Sequence, residues 1–260
     1  DPEDRPARRD HPQRRMRPQP DRGGLPRIEC SQRPDVEPRV RIRRHQALLP
    51  GPFQGGDVRE PAVGRGREAM GESVREGRLR AADAIVCDAC LPVTALDHLI
   101  CEAAKGTPVL VDPVSTAYAR KIEPIAGKFY AMKPNVMELS ILSGLPTETE
   151  AQIERACEAL LMRGVVRIAV SRGEKGCYYA DAQGQRLFRS LRPVSQMVNA
   201  TGAGDAFLAG FTHALVAGLP VEEMLDYALA SGITAIQSMT TINPKMSDAL
   251  VKANIARYRL

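Results

Sequence analysis

The sequence predicts an α/β fold: a three-layer αβα arrangement around a mostly parallel sheet. Two observations point there. From about residue 81 onward, short apolar runs alternate with longer amphipathic segments of helical period. The apolar runs are continuous, the pattern of strands covered by helices on both faces.

In order, residues 84–87 read as a buried strand, 93–104 as a helix and 108–111 as the next strand, ending at Asp112-Pro113. A helix is expected over 115–125 and a strand over 129–132. Helices fit 135–143 and 149–163, followed by a strand over 166–170. Residues 177–180 and 185–188, joined by a polar turn containing glycine, predict an antiparallel hairpin. The remainder is helical, over 205–217, 221–238 and 246–257. No internal repeat is present.

Composition divides the chain of 260 residues. Residues 1–80 hold 19 Arg, 13 Asp or Glu and eleven of the 20 prolines, with little apolar periodicity; all seven lysines lie after residue 100. Such a segment cannot bury enough surface to offset chain entropy, so 1–80 is expected to be disordered. Arginine without lysine also suggests a mis-translated segment, as an out-of-frame reading of GC-rich DNA would give. A basic nucleic-acid arm fits less well, because acids are interspersed and aromatics are not. Residues 81–260 form the folded domain. No apolar run reaches about 18 residues, so no membrane span is expected. Without an apolar leader, the cytoplasm is the expected compartment. Cys87-Asp88-Ala89-Cys90 is formally C-x-x-C, but a buried strand end followed by a loop is the simpler reading.

Asn199-Ala200-Thr201-Gly202-Ala203-Gly204-Asp205 runs into the apolar helical pattern Ala206-Phe207-Leu208-Ala209-Gly210-Phe211. A helix opened by glycines presents free amides and the positive end of its dipole, which together bind anions. Phosphoryl transfer needs donors for developing negative charge and a base for the attacking hydroxyl. The amides of Gly202, Ala203 and Gly204 can be the donors and Asp205 the base. Helix capping alone would explain one of these residues, not the string. The stretch resembles the signature of the PfkB/ribokinase-like sugar and nucleoside kinases.

That resemblance covers residues 81–257 and implies a ribokinase-like fold whose N-terminal part and lid are missing or disordered here. Lys133-Pro134-Asn135-Val136-Met137-Glu138 follows a strand and starts a helix. It resembles the family's N-x-x-E motif, which implies Mg²⁺ near Asn135 and Glu138 and phosphate near Lys133 and Asn135. The same Asn and Glu would equally form a helix-capping pair. Ser171-Arg172-Gly173-Glu174-Lys175-Gly176 resembles the nucleotide-phosphate loop, implying Ser171, Gly173 and Gly176 as ATP contacts. Alone, such a pattern is a turn. Thr201 joins the cofactor-binding set. Ser231, in Ala228-Leu229-Ala230-Ser231-Gly232, borders the adenine in similar kinases, although close helix packing explains it as well. The cofactors implied are ATP and Mg²⁺, with K⁺ a further candidate. Asn199 stands where many relatives carry Asp at the cation loop, and Thr241 and Asn243 are candidates there.

Within the family, Val111-Asp112-Pro113-Val114-Ser115, Lys133-Pro134-Asn135 with Leu142-Ser143-Gly144, and Asn199-Ala200-Thr201-Gly202 look most like the pseudouridine kinases, and Asn243-Pro244 with Ser247 also fits them. The partner implied is a small sugar or nucleoside, not nucleic acid or a membrane; oligomeric state is not readable. The resemblance fails early in the chain. Gly23-Gly24-Leu25-Pro26-Arg27-Ile28 has Ile where the substrate motif G-G-x-x-x-N has Asn, and no lid strands are readable. Substrate residues are therefore not carried over.

Overall fold

The computed structural model describes residues 82–103, 106–190, 194 and 197–258. The expectations for residues 1–80 lie outside these. Six strands form one sheet in sequence order: β1 (Ile85–Asp88), β2 (Val109–Asp112), β3 (Ala131–Met132), β4 (Arg167–Ser171), β5 (Cys177–Asp181) and β6 (Arg186–Arg189). β1 to β4 are parallel, and β5 and β6 extend the sheet as the expected antiparallel hairpin.

Parallel neighbours need crossovers, and right-handed crossovers taken in one direction place every connecting helix on the same face. α1 (Val93–Ala103), α2 (Thr116–Ile122), α3 (Val136–Ser143) and α4 (Glu150–Met162) all lie there. Strand side chains alternate between faces. Val109, Val111, Met132, Ile168, Val170 and Tyr178 meet these four helices. Leu110, Ala131, Ala169, Cys177 and Tyr179 face the other way, onto α5 (Ala203–Val216), α6 (Val221–Ile236) and α7 (Asp248–Tyr258). The apolar strands β2 to β5 therefore serve two cores, and the sheet is the middle of three layers; β1, expected to be buried, instead alternates, with Val86 exposed.

Most boundaries move by a residue or two, β3 shrinking from the expected 129–132 to Ala131–Met132, and two of the shifts have a local cause. α2 stops at Ile122 and gives way to a 3-10 turn, Glu123–Lys128. Pro124 at its start lacks the N–H that would continue the α-helix. α5 begins two residues early, because Gly202 in a left-handed conformation caps it. Asp205 thus sits within the first turn rather than at the first position. Cys87 is buried on β1, where burial pushes its thiol up to about 12, and Cys90 is exposed in the following loop. No described helix is long and apolar enough to cross a membrane.

Candidate active site

The carboxyl ends of β2, β3 and β4 and the start of α5 meet at one edge of the sheet. Lys133 follows β3, and its backbone N–H donates to the Val111 carbonyl of β2 at 3.1 Å. The Ser171 N–H, at the end of β4, donates to the Pro134 carbonyl at 2.9 Å, and Asn135 and Ser171 form an isolated parallel bridge. Lys133, Asn135 and Ser171 are therefore brought together. The edge of an open parallel sheet is where α/β proteins take ligands.

α5 enters this edge through its glycines. Gly202 has φ +85°, and a Cβ there would stand 2.5 Å from the Thr241 carbonyl oxygen. Only glycine meets both demands. A Cβ on Gly204 would stand 2.9 Å from Lys133 Nζ, so the lysine ammonium rests against the backbone of the first α5 turn. Asp205, one residue on, is exposed. The start of the helix is tied from behind: the Val198 and Asn199 N–H groups donate to the Ile236 carbonyl at the end of α6, and Asn199 Oδ1 accepts from the Thr201 N–H at 3.0 Å. Thr241 thus abuts the start of α5. Asn243 is anchored away from it, donating through Nδ2 to the Thr234 carbonyl at 2.8 Å.

Three charged side chains are buried at this edge: Asp112, Lys133 and Glu138. Lys133 Nζ lies 2.8 Å from Asp112 Oδ2. Asp112 Oδ1 accepts from the Val114 N–H at 2.8 Å, so both carboxylate oxygens are occupied. The Ser115 N–H donates to the Pro113 carbonyl two residues back, making a γ-turn around Val114. Val114 has φ +66°, the only non-glycine positive φ among the described residues, and this hand of γ-turn is the strained one.

Glu138 realises the capping pair. Its Oε2 accepts from the Asn135 N–H and its own N–H donates to Asn135 Oδ1, each at 2.9 Å. Burial raises the Glu138 carboxyl above its ordinary range, as Asp112 does more weakly. The Asn135 hydrogen bond and the Lys133 charge oppose them. One acid beyond the ion pair makes the buried set net negative, which suits a cation. Among the described residues no group of three or more His, Cys, Asp or Glu is placed to hold a metal. Mg²⁺ keeps several waters and takes few protein carboxylates, so Glu138 beside Asn135 fits it without such a group.

Other expected residues lie apart. Ser231 is buried at the contact of α5 and α6, where a Cβ on Gly210 would approach its Oγ to 2.3 Å, so helix packing accounts for it. Gly173 lies in the 3-10 turn after β4, and Gly176 packs on the Arg189 carbonyl of β6. A cleft of about 920 Å³ opens beside α3 and this turn, lined in part by Met137, Ser140, Thr149, Arg172 and Lys175. Sequence reasoning missed Asp112 as the partner of Lys133. The available signal was an acid ending a buried strand at the ligand edge.

Together these features define an α/β protein of the class that takes an anionic ligand where strand ends meet a glycine-opened helix. The chain belongs to the pfkB family of carbohydrate kinases, whose family model matches residues 71–248. It is 31% identical over 174 residues to pseudouridine kinase of Escherichia coli (strain K12), covering 66% of this chain and 55% of the relative. It is 38% identical over 117 residues to ribokinase of Arabidopsis thaliana, covering 45% and 31% respectively. Among solved structures, Arabidopsis thaliana ribokinase complexed with ribose and ATP superposes with a TM-score of 0.61 at 27% identity, covering 71% of this chain and 58% of that one. A carbohydrate kinase from Agrobacterium tumefaciens gives a TM-score of 0.56 at 26% identity over 71% and 57%. The chain thus spans about half the length of these kinases, or less. Its described part has the ribokinase-like fold.

Proposed function

We propose that the chain carries the phosphoryl-transfer half of an ATP-dependent kinase acting on a sugar or nucleoside hydroxyl. The observation that carries this reading is the exposed Asp205 on the first turn of a glycine-opened helix, with a buried lysine against the same turn. Asp205 takes the proton of the attacking hydroxyl. The amides of Gly202 and Gly204 at the α5 start hold the charge that develops on the transferred phosphoryl group, joined by that of Ala203 once it leaves the Ala200 carbonyl 3.4 Å away, in a place where the helix dipole adds to them.

Lys133, Asn135, Ser171 and Thr201 surround the phosphates, with Gly173 and Gly176 shaping the loop after β4. Ser231 shapes the site indirectly, by letting α6 approach α5. Glu138 and Asn135 would hold Mg²⁺, which supplies charge neutralisation to the phosphates when bound. K⁺ would sit beside Asn199 and Thr241. The cytoplasm, where ATP is abundant, suits this activity.

Pseudouridine is the proposed acceptor, giving pseudouridine 5′-phosphate. The 31% identity to a pseudouridine kinase supports it, as do the Asp112–Ser115 and Lys133–Asn135 segments. A substrate panel of pseudouridine, ribose, adenosine and fructose 6-phosphate with MgATP, scored by kcat/KM, tests the assignment. Pseudouridine should exceed the others by tenfold or more. A preference for ribose would leave the kinase and replace the acceptor.

A further inference from the structure

Lys133 occupies an unfavourable place. Its ammonium lies against Gly204, at the positive end of the α5 dipole, where a cation is repelled. It is also buried, and a buried ion pair is a weak source of stability compared with apolar side chains of the same volume. Its partner Asp112 is held by a second unfavourable feature, the strained turn at Val114, whose N–H fixes one carboxylate oxygen while Lys133 takes the other. Local strain of this kind persists where surrounding structure enforces it, and it clusters at functional sites. Two local costs thus converge on fixing one ammonium at one point.

The charged groups around that point are few. Asp112 comes from the end of β2, Glu138 from the first turn of α3 and Asp205 from the first turn of α5. Glu138 feels both Asp112 and Lys133 electrostatically. Without Asp112, Glu138 is the buried acid left to attract the ammonium.

We propose that Asp112 is a positioning residue of the phosphate site: it clamps the Lys133 ammonium against Gly204, where it meets a phosphate oxygen, and keeps it off Glu138. This rests on the kinase reading above. Asp112 touches no substrate in this scheme; it acts through Lys133. The strained Val114 turn is the mount that aims it. The clamp would not affect recognition of the base and sugar of a nucleotide, only of its phosphates.

The test compares MgATP and adenosine binding, by calorimetry and NMR titration, in wild-type chain, Asp112→Asn, Lys133→Met and the double variant. Asp112→Asn keeps an acceptor for the Val114 N–H and removes the charge. It should weaken MgATP by about tenfold or more, the loss expected for a charge-assisted contact, and leave adenosine nearly unchanged. Lys133→Met should do the same, and the double variant should be no worse than Lys133→Met, since clamp and clamped side chain act as one unit. Gly204→Ala, which crowds the ammonium with Asp112 intact, should reproduce the loss.

MgATP binding by Asp112→Asn at wild-type strength would overturn the proposal, as would equal weakening of adenosine. If Asp112→Asn does not fold, Lys133→Met and the double variant still decide: a further loss in the double variant contradicts a shared role. Wild-type chain that binds no MgATP would instead overturn the kinase reading itself, and the clamp with it.

Discussion

At the scale of single residues, the edge of the sheet is built from positions where the usual preferences are broken. Val114 takes a backbone conformation that costs a branched residue of order 1–3 kcal/mol. Its side chain is half-exposed, so little packing is lost if it is removed. Val114→Gly should therefore raise stability by about 1 kcal/mol, after the larger chain entropy of glycine is subtracted. Urea unfolding checks this; a loss of stability would mean that the turn is not strained. Gly202 is the opposite case. Gly202→Ala forces a Cβ into the Thr241 carbonyl at a positive φ and should cost ~2–4 kcal/mol by the same measurement.

At the scale of elements, α3 does two things with one residue. Glu138 completes the cap of the helix and is the buried acid proposed for Mg²⁺. Glutamine can also complete a capping box, so Glu138→Gln should keep the fold while weakening Mg²⁺-dependent nucleotide binding. Thermal unfolding with and without MgATP separates the two. Stability has a pH dependence of definite sign. Because the folded carboxyl titrates above the ordinary Glu value of 4.5, the folded state binds more protons between the two. Stability then falls as pH rises through that window, and the cost persists above it. Glu138→Gln should remove that slope, gaining on wild type as pH rises. A parallel pair of pH–stability curves would contradict the raised carboxyl.

α5 was legible because its signals are local: glycines, an acid and an apolar helical period in one run. β2, β4 and β5 were legible for the same reason, since continuous apolar runs state that both faces are covered, whereas the run at β1 misleads because Val86 on it is exposed. The end of α2 could have been read from Pro124, but the helical period on either side of it masks the break. A local pattern marks Asp112 as an acid ending a buried strand but does not name Lys133 as its partner. They are joined only when β2 and β3 lie side by side. Val114 gave no signal either, because valine is among the residues least expected at positive φ. Ser231 reads identically as a ligand and as a packing residue, and only the approach of Gly210 decides it.

At the scale of the whole molecule, the fold separates support from chemistry. Two apolar cores fix the sheet between its helical layers, and the polar residues of interest gather at one edge of it. A ligand taken there by the folded chain alone should stabilise it by mass action. MgATP at a hundred times its Kd is worth about 2.7 kcal/mol, visible as a rise in Tm that adenosine or inorganic phosphate at the same concentration would not match.

The central claim is that Asp205 deprotonates an alcohol at a phosphate held by the start of α5. Single-turnover transfer from MgATP to pseudouridine, in wild-type chain and Asp205→Asn, tests it most directly. The account predicts a rate lower by about 10²–10⁴-fold in the variant, with MgATP affinity unchanged. Transfer by Asp205→Asn at the wild-type rate would contradict it.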